Sequence, residues 1–165
     1  MPPRVDRQRF AACTPSLQTT HRVHEIHDGA LWIGNTLDLH QPRKIFDAGI
    51  SAVVDVAVEE PPAQLPRQLT YCRFPLNDGA GNDQAVMQQS IMTLAMLLDA
   101  NTRTIIVCAA GLSRSPAIAS FGLAIHLGQD PSDMLAQLAK VKPVEMKRTF
   151  WNKGLQAYLA IVKKR

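Results

Sequence analysis

One short segment of the sequence carries residue types that could transfer a phosphoryl group. It begins at Cys108 and ends at Arg114, with Gly111 between them, and Ser115 follows. A cysteine thiolate is a strong nucleophile, and an electropositive setting favours it over the thiol. Arginine presents a planar fork that can bind two phosphate oxygens at once. The segment therefore predicts a nucleophile and an anion clamp on one loop, with a Ser115 hydroxyl that could hydrogen-bond the sulfur.

The neighbours of this loop also favour an anion. Residues 104–107 form a short β-branched run, which predicts a buried strand. A helix is predicted over residues 115–127, with Pro116 in its first turn. At a helix start the backbone N–H groups are free and the helix dipole attracts negative charge. A loop with its amides turned inward would cradle phosphate. The residues predicted to contact phosphate are Ala109, Ala110, Gly111, Leu112, Ser113 and Arg114.

The rest of the chain predicts the elements that hold this loop in place. Strands are predicted over residues 23–26, 31–33, 51–58, 70–74 and 104–107. Helices are predicted over residues 37–46, 83–99, 115–127, 131–141 and 148–162. Strands that alternate with helices are typical of an α/β fold around a mostly parallel sheet. We expect a loose N-terminal arm at residues 1–22, and then one domain over 23–165 with about five strands and helices on both faces.

Composition and charge narrow the classes of function. The chain has 165 residues, of which 46% are hydrophobic and 19% are charged, as in ordinary globular domains. Its net charge of +4 suits an anionic partner but is too small to predict nucleic acid binding. The sequence contains no apolar run long enough to cross a bilayer, and its first residues do not resemble a signal peptide. We therefore expect a cytoplasmic monomer that binds neither nucleic acid nor membrane.

The three cysteines are Cys13, Cys72 and Cys108. Their odd number and irregular spacing predict neither a disulfide framework nor a zinc site. The five histidines also lack the spacing of metal ligands, so we expect no metal and no cofactor. In a reducing compartment the thiol of Cys108 would stay free for chemistry.

The loop and its surroundings resemble the dual-specificity protein phosphatases, within the cysteine-dependent protein tyrosine phosphatase superfamily. The signature of that family is Cys, five residues, Arg, and then Ser or Thr, and residues 108–115 here read Cys-Ala-Ala-Gly-Leu-Ser-Arg-Ser. The likeness continues at residues 31–35, 47–56 and 74–78 and covers about residues 23–160. It implies the cysteine-phosphatase fold. It also implies metal-independent hydrolysis of phosphotyrosine and phosphoserine or phosphothreonine in proteins.

The resemblance further implies the roles of individual side chains. Cys108 would attack phosphorus and form a phosphocysteine while Arg114 holds the phosphoryl oxygens, and Ser115 would help the sulfur to leave. Asp78 would be the general acid that protonates the leaving oxygen and the base that then activates water. By residue type alone Asp78 could be a simple turn residue, since it stands before a glycine. Two other candidates for the acid are Asp55, within a predicted buried strand, and Asp83, which better suits a helix start.

Two positions depart from the family's pattern. Val107 stands where the family usually has a histidine directly before the nucleophile, which predicts slower turnover. The asparagine that braces the phosphate loop in the family is not evident at residues 146–149, so another residue would have to brace the loop. In addition, no cation lies between Cys108 and Arg114, which disfavours polyphosphorylated substrates such as inositol lipids.

Other interpretations stay open at this point. A domain of the same fold could bind phosphoproteins without turnover, and Val107 keeps that alternative in view. A rhodanese-like or arsenate-reducing enzyme shares the Cys-to-Arg spacing, although Asp78 fits it poorly. In some relatives a second cysteine forms a reversible disulfide with the nucleophile, and Cys72 is the candidate here. The alternative is that Cys72 is a small buried apolar residue.

Overall fold

The computed structural model describes residues 23–165. The predicted arm at residues 1–22, which includes Cys13, lies outside the described residues. The predicted boundary between arm and domain therefore stays a prediction. Within the described residues, no helix combines the length and the apolar character of a membrane span.

Five strands form one mixed sheet. They are β1 (His24–His27), β2 (Leu31–Asn35), β3 (Ala52–Ala57), β4 (Thr70–Leu76) and β5 (Thr104–Cys108). Their order across the sheet is β1-β2-β5-β3-β4. β1 and β2 are antiparallel, and the other neighbours are parallel. This confirms the predicted five-stranded, mostly parallel sheet, and it places β5, which ends at the predicted nucleophile, between two parallel strands.

The helices are α1 (Pro42–Asp47), α2 (Gln84–Asp99), α3 (Arg114–Leu127), α4 (Pro131–Val141) and α5 (Arg148–Val162), preceded by a 3-10 helix at Thr36–His40. The single helix predicted over residues 37–46 was therefore wrong, because two elements meet at Gln41. Gln41 has the non-helical angles φ −121° and ψ 66°. Pro42 has no N–H for a continuous helix, but it fits the first position of a new one.

The two faces of the sheet are covered unequally. Alternate strand residues such as Ile33, Val54 and Ile106 face the larger core, which α2, α3, α4 and α5 cover. Cys108 lies on this face too. The intervening residues, among them Val107, face a smaller cluster with the 3-10 helix and α1. Because side chains alternate along a strand, Val107 points away from the side of Cys108 and is completely buried among apolar neighbours.

Helix α2 carries three methionines, of which two are exposed. Met87 is buried on α2, whereas Met92 and Met96 are 42% and 63% exposed. The buried side of α2 follows the period of an α-helix through Met87, Ile91, Leu94 and Leu98, and the other two methionines fall outside that stripe. Trp32 on β2 belongs to the core of the smaller face, since it is 5% exposed.

Candidate active site

The loop between β5 and α3 approaches β2 closely at Gly111. Gly111 has φ +72°, in the left-handed region that other residues avoid. A Cβ atom added here would lie only 2.7 Å from the carbonyl oxygen of Gly34 in β2. Both the backbone angle and the space therefore require glycine, and the tight approach sets the curvature of the loop.

We expect Gly111→Ala to lower the free energy of unfolding by about 2 kcal/mol or more, through the strained φ and the contact with Gly34. Affinity for inorganic phosphate should fall as well, because the loop must shift. Thermal unfolding and calorimetric phosphate titration would measure both effects. Gly81→Ala is the matched control, since no atom lies within 4 Å of its added Cβ and its φ is not positive. Equal stability of the two variants would contradict the expectation.

The Cys108 sulfur is buried and held by two polar groups. The side chain is 2% exposed. The backbone N–H of Gly111 donates to its Sγ at 3.2 Å. The hydroxyl of Ser115, completely buried, lies 3.2 Å from the same sulfur. Donors directed at a sulfur stabilise its thiolate form, which is the form that attacks.

Arg114 is oriented by a carboxylate that the sequence did not point to. Both terminal nitrogens of its guanidinium donate to the Glu59 carboxylate, Nη1 at 2.6 Å. Nη1 also donates to the carbonyl oxygen of Leu76 at 2.8 Å. These contacts use three of the five guanidinium N–H groups. The N–H of Nε and the second one of Nη2 lie together on the other edge, where a parallel pair can bind two phosphate oxygens.

The electrostatics of this pair keep both partners ionised. Burial acts to lower the pKa of Arg114, but the hydrogen bond with Glu59 and the negative groups Cys108 and Asp78 raise it overall. The hydrogen bond from Arg114 in turn lowers the pKa of Glu59. Arg114 therefore stays a cation although only 4% of it is exposed.

A second arginine holds the segment that carries Glu59. Nη2 of Arg73 on β4 donates to the carbonyl oxygens of Ala57 at 3.1 Å and Glu60 at 2.7 Å. Asp55 lies beside Arg73 and accepts a hydrogen bond from the hydroxyl of Tyr71 at 2.6 Å. Burial, and then this bond, raise the pKa of Tyr71. Asp55 therefore belongs to a supporting network and lies outside the lining of the site cavity.

Asp78 reaches the phosphate loop from the segment after β4. Its Oδ1 accepts a hydrogen bond from the hydroxyl of Ser113 at 2.7 Å, and its Oδ2 pairs with Nζ of Lys147 at 3.1 Å. The buried amide of Asn82 shapes this segment, because it bonds the backbone of Asn77 in both directions. By contrast, Asp83 caps α2. Of the three aspartates considered, Asp78 is thus the one at the loop.

These residues line one cavity of about 350 Å³. Its walls include Cys108, Arg114 and Asp78, together with four predicted phosphate contacts and three charged residues that the sequence did not indicate. The four are Ala109, Ala110, Leu112 and Ser113, and the three are Glu59, Glu145 and Lys147. The remaining predicted contact, Gly111, does not line the cavity, because it packs against Gly34 and directs its N–H to the sulfur.

The segment between α4 and α5 borders the loop, close to where the sequence lacked a bracing asparagine. Lys142 donates from its Nζ to the carbonyl oxygen of Gly111. The N–H of Glu145 donates to the carbonyl oxygen of Leu112 at 2.9 Å. These contacts have no local signal in the sequence, since they join residues that are remote along the chain.

Cys72 is badly placed for a disulfide with Cys108. On β4 it pairs with Val54 of β3, and Val54 pairs with Ile106 of β5. Two strand spacings of about 4.8 Å put Cys72 roughly 10 Å from β5, whereas a disulfide needs Cα atoms within about 7 Å. The contacts of Cys72 with the apolar core favour its interpretation as a small packing residue. Among residues 23–165, no group of three or more His, Cys, Asp and Glu side chains could hold a metal ion.

Comparison with known proteins identifies the fold. No protein-family model matches the sequence, and no curated protein matches it. Human DUSP28 superposes with a TM-score of 0.75 at 19% identity, over 87% of this chain and 100% of that one. DUSP15 gives 0.73 at 19% identity, over 86% and 90%. The human tyrosine phosphatase-like serine/threonine/tyrosine-interacting protein gives 0.71 at 19% identity, over 87% and 99%. The chain therefore has the fold of the dual-specificity phosphatases, as the resemblance implied.

Proposed function

We propose that this protein hydrolyses phosphomonoesters through a phosphocysteine intermediate, without a metal. One observation carries the proposal: Cys108, Arg114 and Asp78 line the same cavity. A nucleophile, an anion clamp and an acid are the three functions that this reaction needs. Asp78 fits the rhodanese-like and arsenate-reducing alternatives poorly.

In the first step the Cys108 thiolate attacks phosphorus, so that an S–P bond forms and the ester P–O bond breaks. Arg114 and the loop amides hold the phosphoryl oxygens, over which the transition state spreads its charge. Asp78 donates a proton to the leaving oxygen, which departs as a neutral alcohol. Lys147, which pairs with Asp78 here, has a side chain 60% exposed and can turn toward solvent when substrate enters.

In the second step water attacks phosphorus and the S–P bond breaks. The Asp78 carboxylate accepts a proton from this water, and inorganic phosphate leaves. The electron pair of the S–P bond returns to Cys108 as a thiolate. Ser115 and the N–H of Gly111, each 3.2 Å from the sulfur, stabilise that negative charge as it develops. The site is then ready for a second cycle.

The proposed substrates are phosphotyrosine and phosphoserine or phosphothreonine side chains of proteins. The dual-specificity phosphatases of the same fold support this class. Among the described residues that line the cavity, Lys147 is the cation beyond Arg114, and two acidic residues, Glu59 and Glu145, also belong to the lining. That charge balance suits a single phosphoryl group better than a polyphosphate. We also propose that the protein is a monomer in the reducing cytoplasm, where the thiol of Cys108 stays free.

A second candidate function is phosphoprotein binding without turnover. One structural neighbour is named a tyrosine phosphatase-like, serine/threonine/tyrosine-interacting protein. The fold alone therefore does not distinguish hydrolysis from binding. Val107 is the sequence feature that favours this alternative. Both functions require a cavity that binds phosphate, and they differ in the chemistry at Cys108 and Asp78.

Hydrolysis of two aryl phosphates tests the proposal, in EDTA and a reductant from pH 5 to 8. Wild type should turn over both para-nitrophenyl phosphate and phenyl phosphate. We expect Asp78→Asn to lower kcat/KM for phenyl phosphate by about 100-fold or more, because kcat/KM reports the step in which the ester bond breaks and phenolate needs a proton to leave. The loss for para-nitrophenyl phosphate should be smaller, because nitrophenolate is a better leaving group.

Asp83→Asn is the matched control, since asparagine also caps a helix and Asp83 lies at the start of α2. It should keep wild-type activity on both esters. Wild-type protein that binds phosphate but hydrolyses neither ester would support the binding function instead. Equal losses of kcat/KM in Asp78→Asn on both esters would argue against Asp78 as the acid.

A further inference from the structure

Lys142 is a buried charged residue for which the reaction above has no role. It follows α4 directly, and it is 7% exposed. Burying an ammonium is costly unless it is hydrogen-bonded or paired. A lysine in such a place is therefore expected to serve the groups that it contacts.

The contacts of Lys142 lie on the phosphate loop. Its Nζ donates to the carbonyl oxygen of Gly111 and, at 3.2 Å, to that of Pro143. The N–H of Gly111 meanwhile donates to the Cys108 sulfur. Gly111 thus directs its N–H to the nucleophile and its carbonyl oxygen to the ammonium. With the carbonyl held in this direction, its negative end is kept away from the anion that the loop would cradle.

Lys142 also changes the charge balance around the sulfur. Arg114 is paired with Glu59, and Lys147 with Asp78. In the part of the chain that the structure describes, Lys142 takes part in no ion pair. Its positive charge therefore adds to the loop without a carboxylate to cancel it.

Lys142 and the Cys108 sulfur interact electrostatically. Burial lowers the pKa of Lys142, and the negative charge of Cys108 acts against that by favouring the ammonium. Such coupling is reciprocal, so an ammonium at this position favours the thiolate. An anion in the cavity would benefit in the same way.

We propose that Lys142 is a positioning residue of the phosphate site, which orients the carbonyl of Gly111 and supplies an uncancelled positive charge behind the Cys108 thiolate. This proposal rests on the proposed function only in that the cavity binds phosphate. It assigns the bracing of the phosphate loop to Lys142, which lies outside residues 146–149. The sequence showed no bracing asparagine within that range.

Binding of inorganic phosphate, which does not require turnover, provides the first test. We expect Lys142→Met, of similar length but without donor or charge, to raise the phosphate Kd by about 10-fold or more in calorimetric titration. Lys142→Arg keeps a donor and the charge and should restore most of the affinity. Lys140→Met, an exposed neighbour on α4, should bind like wild type.

Alkylation of Cys108 by iodoacetamide at neutral pH, read on its own peptide by mass spectrometry, provides the second test. A loosened structure would expose the buried thiol and speed the reaction, whereas a lost positive charge would slow it. We expect Lys142→Met to be alkylated several-fold more slowly than wild type and Lys142→Arg to resemble wild type.

Unchanged phosphate affinity in Lys142→Met, or faster alkylation together with a lower unfolding temperature, would overturn the proposal. The second result would assign Lys142 a purely structural role. Wild-type protein that binds phosphate but hydrolyses no ester would contradict the proposed enzymatic function. The comparison of phosphate affinity between wild type and the Lys142 variants would still test the role of Lys142. Wild-type protein that neither binds phosphate nor hydrolyses an ester would overturn both proposals.

Discussion

Cys108→Ser is expected to reduce the hydrolysis of para-nitrophenyl phosphate by about 10⁴-fold or more, as the removal of a catalytic nucleophile does in other hydrolases. A serine hydroxyl at this position is almost un-ionised at neutral pH, whereas a thiol among these donors can supply a thiolate. The change is nearly isosteric in a residue that is 2% exposed, so the fold should persist. Steady-state kinetics and thermal unfolding would measure activity and stability separately.

Phosphate binding makes this variant informative in a second way. Replacing a thiolate by a neutral hydroxyl removes a negative charge that repels the incoming anion. We therefore expect Cys108→Ser to bind inorganic phosphate at least as tightly as wild type. Cys72→Ser is the matched control, because Cys72 lies two strands away, and it should keep full activity. Residual turnover by Cys108→Ser near the wild-type rate would contradict the phosphocysteine mechanism.

Arg114→Lys is expected to lower kcat by about 100- to 1,000-fold and to weaken phosphate binding. Lysine preserves the charge, but its ammonium lacks the planar fork of the guanidinium. It therefore cannot bind Glu59, the Leu76 carbonyl and two phosphate oxygens at the same time. The loss therefore measures the geometry of the clamp and not its charge alone. Glu59 is 47% exposed, so water can solvate its carboxylate after the change, and the protein should stay folded.

Arg43→Lys is a suitable control for this experiment. Its side chain is 94% exposed and pairs weakly with Asp47, and the change should alter neither activity nor stability. If Arg114→Lys kept kcat within a few-fold of wild type, the guanidinium would be acting as a simple positive charge and the proposed bidentate contact would be wrong. Kinetics should be compared at several ionic strengths, because a simple charge is the more sensitive to salt.

Sequence reasoning succeeded for the regular elements for a physical reason. Burial on both faces of the central strands selects continuous β-branched runs, and one buried side of α2 selects a 3.6-residue period. Both signals are local, so they survive without knowledge of the fold. Local signals failed where a single position decides the geometry. At Gln41 one non-helical residue separates the 3-10 helix from α1, and apolar residues continue across the break.

The phosphate loop could be predicted from the sequence, because its parts are contiguous. The loop runs from Cys108 to Arg114 between a buried strand and a helix start, and Gly111 allows its curvature. Backbone amides, helix dipole and nucleophile all follow from this short stretch of chain. That is why the candidate nucleophile and anion clamp could be named before any coordinate was known.

The tertiary structure decided which distant side chains complete the site; of these, Asp78 was named from the sequence, through the family resemblance, and Glu59 and Lys142 were not. Glu59 meets Arg114 across 55 residues of chain, Asp78 meets Ser113 across 35, and Lys142 meets Gly111 across 31. These contacts depend on strand order and on how α4 and α5 return to the sheet, and neither leaves a periodic trace in the sequence. A charged residue on a loop has the same local pattern whether it faces solvent or a buried partner. Its role therefore becomes visible only once the fold sets its distance to the phosphate loop.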